Sequence, residues 1–139
     1  MIAMLCDGIG IKEVYYNMKW VFKDGIPIYS QIVDHMKLHI ASGAYKMGDK
    51  IPSVRELAVE AGVNPNTMQR AFAELERDGL LHSERTKGRF ITEEENVLEN
   101  MKKELGRNFI REMFENMKKL GMSNEEILQA VQNQAKEEN

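Results

Sequence analysis

One cysteine, Cys6, is all that the 139-residue chain contains, so no intramolecular disulfide can form, and a reducing cytoplasm is the expected compartment. Long hydrophobic runs are missing too. The most apolar stretch opens the chain at Met1 to Cys6, is broken by Asp7, follows no basic region and is far too short to span a bilayer, so neither secretion nor a membrane anchor is expected. Positive charge is scarce: the formal net charge is -3, which at first sight counts against a nucleic-acid partner. Nucleophile elbow, phosphate-cradling glycine loop, zinc signature and paired carboxylates in an apolar setting are all absent, so neither an enzyme nor a cofactor is expected.

What is present indicates a globular chain. With 42% hydrophobic and 29% charged residues it has the balance of a folded domain plus an appendage. The charge is unevenly spread: residues 26 to 92 carry nine Lys or Arg against eight Asp or Glu, giving +1, while residues 93 to 139 carry seven against eleven, giving -4. The acid is therefore mostly in the tail. Residues 1 to 17 are read as a leader of unassigned role in which Cys6 is a bystander thiol, since no basic neighbour lowers its pKa.

The most informative stretch is PSVRELAVEAGVNPNTMQRAFAELERDG, Pro52 to Gly79. It reads as two short helices with a tight break between them, each with its own start signal. Ser53 and Glu56 form a capping box; Asn64 caps the second helix, with Pro65 at its first position and Val63 placed to staple against Met68. Ala61-Gly62-Val63 is small enough to let the helices cross closely, as a helix-turn-helix requires. In the second helix Met68, Ala71, Phe72 and Leu75 make one buried stripe, leaving Asn66, Thr67, Gln69, Arg70, Ala73 and Glu74 on the opposite face. Uncharged donors and acceptors near the start of such a helix are where a recognition helix meets base edges. After Gly79 the pattern is strand, basic turn, strand, a wing whose Arg85, Lys87 and Arg89 could lie along phosphates while Gly88 lets the backbone approach closely.

Upstream, Lys19 to Lys23 alternates as a short strand, with Trp20 packing on the domain. Pro27 opens a helix to about Ser42 with Ile28, Ile32, Val33, Met36 and Ile40 on its buried stripe, and Gly48 sits in a turn that calls for a positive φ. His35 and His39 stand four apart as two metal ligands would, but no third or fourth ligand is evident, and no metal site is expected.

The submotifs PIYSQI, GDKIPSVRELA, GVNPNT, AFAELERDGLL and a KGRF wing follow one another in order and spacing over about Trp20 to Thr92. In these the chain resembles the winged-helix domain of GntR-family bacterial transcription regulators, and its short tail is similar to the YtrA-like subfamily, which has a small helical dimerisation region in place of a large effector domain. That resemblance implies a DNA-binding regulator, with phosphate or base contacts by Arg55, Asn64, Asn66, Thr67, Gln69, Arg70, Lys87 and Gly88. One departure stands out: much of the wider family has arginine where this chain has Gln69, so a guanine or phosphate contact is lost or replaced by readout of an adenine edge.

Beyond the wing, residues 93 to 119 read as one long helix with Leu98, Met101, Leu105, Phe109, Met113, Met117 and Leu120 at helical spacing, widened by Val97, Ile110 and Phe114. Gly121 ends it, and a capping box at Ser123 and Glu126 starts a last helix carrying Ile127, Leu128, Val131 and Ala135. Two helices cannot cover that much apolar surface, so the hairpin is expected to pair with a second copy of itself.

The expected architecture is thus mainly α with a small β wing (α+β): a leader at 1 to 17, a winged helix-turn-helix domain at 18 to 92 and a helical dimerisation region at 93 to 139. Leu98, Met101, Leu105, Phe109, Met113, Phe114, Met117, Leu120, Ile127 and Val131 are the expected dimer contacts. The expected function is a cytoplasmic, homodimeric regulator, acting as a repressor on an inverted-repeat DNA operator with half-sites roughly 10 base pairs apart or a little more. A winged-helix module for protein or RNA interaction is the alternative. A small-molecule effector stays open as a further partner, since nothing in the sequence specifies a ligand, and the ten methionines are read as adaptable core filler.

Overall fold

A computed structural model of the chain describes residues 19 to 138. The expected leader, with Cys6, lies outside the described residues. Helix α1, Ile28–Ala41, begins directly after Pro27, whose φ of -54° already suits a helix start, and the Ser30 hydroxyl donates back to the Pro27 carbonyl at 2.8 Å. It buries Ile32, Val33, Met36, His39 and Ile40. Ile28, expected on that stripe, is instead 43% exposed, because the first turn of α1 borders a surface hollow rather than the core.

Helix α2, Val54–Ala61, is closed at its start by the expected reciprocal pair: the Ser53 hydroxyl accepts from the Glu56 amide at 3.2 Å and the Glu56 carboxylate accepts from the Ser53 amide at 2.9 Å. Gly62 ends it at φ +68°, a left-handed conformation that a side chain at this position would strain. Helix α3, Pro65–Arg77, starts three residues after Gly62, with the Asn64 side chain accepting from the Asn66 amide at 2.8 Å. Its buried residues are Met68, Ala71, Phe72 and Leu75, the stripe expected from spacing.

Strands β1, Leu81–Glu84, and β2, Gly88–Ile91, pair antiparallel with Leu81 opposite Ile91. The α1–α2 connection adds to them, through Ile51 N–H to the Arg89 carbonyl at 3.0 Å, Ile91 N–H to the Asp49 carbonyl at 2.9 Å and Gly48 N–H to the Ile91 carbonyl at 3.0 Å. This stretch, which reads in sequence as mere turn, pins the wing to the helices. Gly48 has the positive φ expected of it, +79°. A Cβ there would also come within 2.8 Å of a Glu93 carboxylate oxygen.

The strand expected at Lys19 to Lys23 does not form. Gln31 of α1 takes its backbone groups instead, accepting from the Lys23 amide at 2.7 Å and donating to the Lys23 carbonyl at 3.0 Å, so no strand partner is needed. Trp20 does pack on the domain. Its ring stacks 3.8 Å from that of His35, and His35 lies 4.4 Å from His39.

Burial, with the nearby His39 second, lowers the His35 pKa from 6.5 to about 4. The unfolded chain therefore takes up this proton first, so the contribution to stability is complete above 6.5 and lost as the pH falls toward 4. Because the ring is only half-buried, solvent screening reduces the expected loss to ~1 to 2 kcal/mol. Urea midpoints at neutral pH and at about pH 5 should differ accordingly, and His35→Gln should flatten the difference. Equal pH dependence in both proteins would assign the effect elsewhere.

The described residues up to Met101 form one compact unit and those from Lys102 onward a second. Helix α4, Glu95–Lys119, starts where the Thr92 hydroxyl accepts from the Glu94 amide at 3.1 Å, and its first turns belong to the winged unit. In the tail unit α4 continues to Lys119, Gly121 turns the chain at φ +81°, and helix α5, Asn124–Glu137, opens on the expected Ser123 and Glu126 capping box. Met101 and Ile127 are buried within the single chain, Leu105, Met113, Phe114 and Met117 are half-buried, and Phe109, Ile110, Leu120, Leu128 and Val131 are exposed.

Candidate nucleic-acid interface

Because Met68, Ala71, Phe72 and Leu75 turn one face of α3 wholly inward, the helix must present the remainder of its residues outward. Asn66, Gln69 and Arg70 are exposed and Thr67 half-buried. Asn66, Thr67 and Arg70 line a shallow hollow together with Pro27, Ile28 and Tyr29 from the start of α1. The Arg70 guanidinium sits 3.8 Å from the centre of the Tyr29 ring, a cation–π contact that holds a cation at the hollow's edge. Sequence reasoning missed Tyr29. Nothing local marks it, since its place beside α3 arises only when α1 packs across that helix.

Asn64 is engaged in its own cap. Arg55 is exposed on the first turn of α2 and makes no ion pair with another described residue.

At the wing, the three cations expected to act alike differ in their surroundings. Arg85 makes no ion pair with another described residue, and Lys87 lies 4.0 Å from Glu84, an exposed pair of little strength. Arg89 points back to the helix: its Nε donates to the Glu76 carboxylate at 2.6 Å and its Nη2 to the Gln69 side-chain oxygen at 3.5 Å. Ser83 Oγ donates to the same Glu76 oxygen at 2.8 Å. Burial works to raise the Glu76 pKa, but hydrogen bonds from Arg89 and Ser83 and the Arg89 charge outweigh it, so the carboxyl lies below its ordinary value and stays ionised. At the tip Thr86 has φ +67° and Gly88 φ +112°. A Cβ at position 88 would come within 3.0 Å of Lys50 Cε, so Lys50, a second residue missed in the sequence, lies against the wing's bare backbone.

The structure therefore brings Asn66, Thr67 and Arg70 together around one hollow, sets Gln69 against Arg89 beside it, and leaves Arg85 and Lys87 at the wing tip. Exposed amides, hydroxyls and cations on a helix of this kind suit base edges and phosphates.

Comparison with known proteins agrees with this geometry. A family model described as bacterial regulatory proteins, gntR family, matches residues 28 to 91. The chain is also 38% identical over 110 residues to an uncharacterized HTH-type transcriptional regulator, YhcF, of Bacillus subtilis (strain 168), covering 79% of this chain and 91% of that protein. The chain belongs to the GntR family. It is further similar to the HTH-type transcriptional repressor YtrA of the same organism, 46% identical over 51% of this chain and 55% of that protein. Among solved structures, a GntR family transcriptional regulator from Listeria monocytogenes superposes with a TM-score of 0.72 at 38% identity, over 81% of this chain and 98% of that one. As a GntR-family protein the chain is a DNA-binding transcription regulator rather than an enzyme, with the winged-helix fold expected from its sequence. No helix among the described residues is long and apolar enough to cross a membrane.

Proposed function

We propose that this chain acts in the cytoplasm as a homodimeric repressor that occupies an inverted-repeat operator, reading each half-site with the exposed face of α3 and touching phosphates with Arg55, Arg85 and Lys87. The observation that carries this reading is the pairing of two features in one chain. One is a helix whose outer face near its start is polar and uncharged except for Arg70; the other is a tail unit with five large apolar side chains exposed. A twofold axis through the tails would present two α3 helices to successive major grooves, which is why a mirrored site with half-sites ~10 base pairs apart is expected. Repression is the direction favoured by the name of the relative YtrA.

Selection of bound duplexes from a random pool is expected to return one mirrored sequence. On that duplex, Thr67→Ala and Arg55→Ala should each weaken binding by ~1 to 3 kcal/mol with little change in melting temperature. Fluorescence anisotropy titrations against salt separate the two kinds of contact: losing Arg55 should lower the salt slope by about one unit. Affinities equal to that of the unaltered protein would remove these residues from the interface.

A further inference from the structure

Arg89 sits where a wing cation is expected to meet phosphate, yet its guanidinium is committed to α3. It spans Glu76 at 2.6 Å and Gln69 at 3.5 Å, two residues seven apart and so on the same flank of the helix. Glu76 is in turn held by the Ser83 hydroxyl at 2.8 Å, and the Arg89 guanidinium lies 5.4 Å from the centre of the buried Phe72 ring. The guanidinium is thereby fixed on two sides, by an ionised carboxylate and by an aromatic face.

A guanidinium can only donate, so the atom that Gln69 turns toward it must be the amide oxygen, and the amide nitrogen with its two hydrogens must point the other way. That orientation bears on which base Gln69 can read. Glutamine recognises adenine by using both ends, its oxygen accepting from the exocyclic amine and its nitrogen donating to N7. With the oxygen turned to Arg89, the donor end is offered to the groove: adenine keeps one contact for it, at N7, but sets its own amine donor beside that atom, whereas guanine presents two acceptors, N7 and O6, and thymine presents O4.

We propose that the Glu76 and Arg89 pair sets the base specificity of Gln69. It holds the side chain as a donor, so that each half-site is read at one position for a base with a keto oxygen on its major-groove edge, guanine or thymine, rather than for adenine. Arg89 is in this sense a positioning residue. The inference rests on α3 being the reading helix, as proposed above.

The test is duplex selection from a random pool by the unaltered protein, Gln69→Ala, Arg89→Ala and Arg89→Lys, with melting curves and salt slopes for each. One column of the selected site is expected to favour guanine or thymine by roughly 5- to 10-fold, and Gln69→Ala identifies that column by making it degenerate. Both Arg89 variants should shift that column toward adenine or flatten it while leaving the other columns as they were. Lysine keeps the charge but cannot span both partners, so its agreement with alanine separates positioning from simple charge. If the unaltered protein selects adenine or cytosine in the Gln69 column, the inference is wrong. It is equally wrong if the Arg89 variants keep the original preference and only weaken all sequences alike, with a lower salt slope or a lower melting temperature. Failure of the operator reading itself looks different: no sequence is enriched by any of the four proteins, and the inference falls with it.

Discussion

Glutamate in place of Phe109 or Ile110 is expected to convert the proposed homodimer to monomers and to lower its affinity for a full inverted-repeat duplex by roughly two to four orders of magnitude. Phe109 is 53% and Ile110 57% exposed, with Leu128 at 53% and Val131 at 38% on α5. Each large aliphatic or aromatic side chain buried at an interface contributes ~1.5 to 3 kcal/mol, so a charge set among them removes that gain and adds a desolvation penalty. Fold stability should change little, because both residues are already wet within one chain. The fall in operator affinity follows from linkage: once one α3 is bound, a tethered partner finds the second half-site at an effective concentration in the millimolar range, and a monomer loses that entirely. Sedimentation equilibrium gives the mass, and anisotropy on full-site and half-site duplexes gives the affinities. The half-site affinity should be the same for variant and parent. If the glutamate variants sediment as dimers, or bind the full site as the parent does, the tail is not what joins the two copies.

How much of this was legible in the sequence depends on how far apart the interacting residues lie. The caps at Ser53, Asn64 and Ser123, the positive φ of Gly48, the helix end at Gly121 and the buried stripe of α3 could all be read, because each is decided within one turn of helix or one tight turn. The strand expected at residues 19 to 23 failed for the opposite reason. Alternation suggested a ladder, but the backbone of Lys23 was satisfied by Gln31, eight residues on, through a side chain whose reach no local pattern reveals. The candidate interface divides the same way. Asn66, Thr67, Gln69 and Arg70 follow from the periodicity of α3, whereas Tyr29 beneath Arg70 and Lys50 against Gly88 depend on which elements pack together. Arg89 was read as one more phosphate-facing cation. Its partner Glu76 lies 13 residues away and outside the wing, and a list of charges does not show which of them are already paired.

Phe72→Ala is expected to be the most damaging single change in the winged unit, lowering its stability by ~3 to 5 kcal/mol. The ring is fully buried, on the stripe by which α3 meets α1, and is among the largest side chains wholly shielded from solvent. Truncation removes its transfer energy and leaves a cavity that neighbours such as Met68 and Leu75, also fully buried, cannot close without shifting both helices. A domain of this size is held by about 5 to 15 kcal/mol in all, so the change removes a large part of that margin, and a parent near the lower end of the range would be left with a substantial fraction unfolded. Urea denaturation is the direct check, and Phe72→Leu, which keeps most of the volume, should cost less than ~1.5 kcal/mol. The damage should extend to the wing, since Arg89 lies over the face of this ring. Under conditions where the alanine variant remains folded, amide exchange at residues 88 to 91 should therefore speed up more than in the leucine variant. If exchange in the wing were the same in both, the aromatic face would not be part of what holds Arg89 to α3, and the carboxylate of Glu76 would have to do so alone.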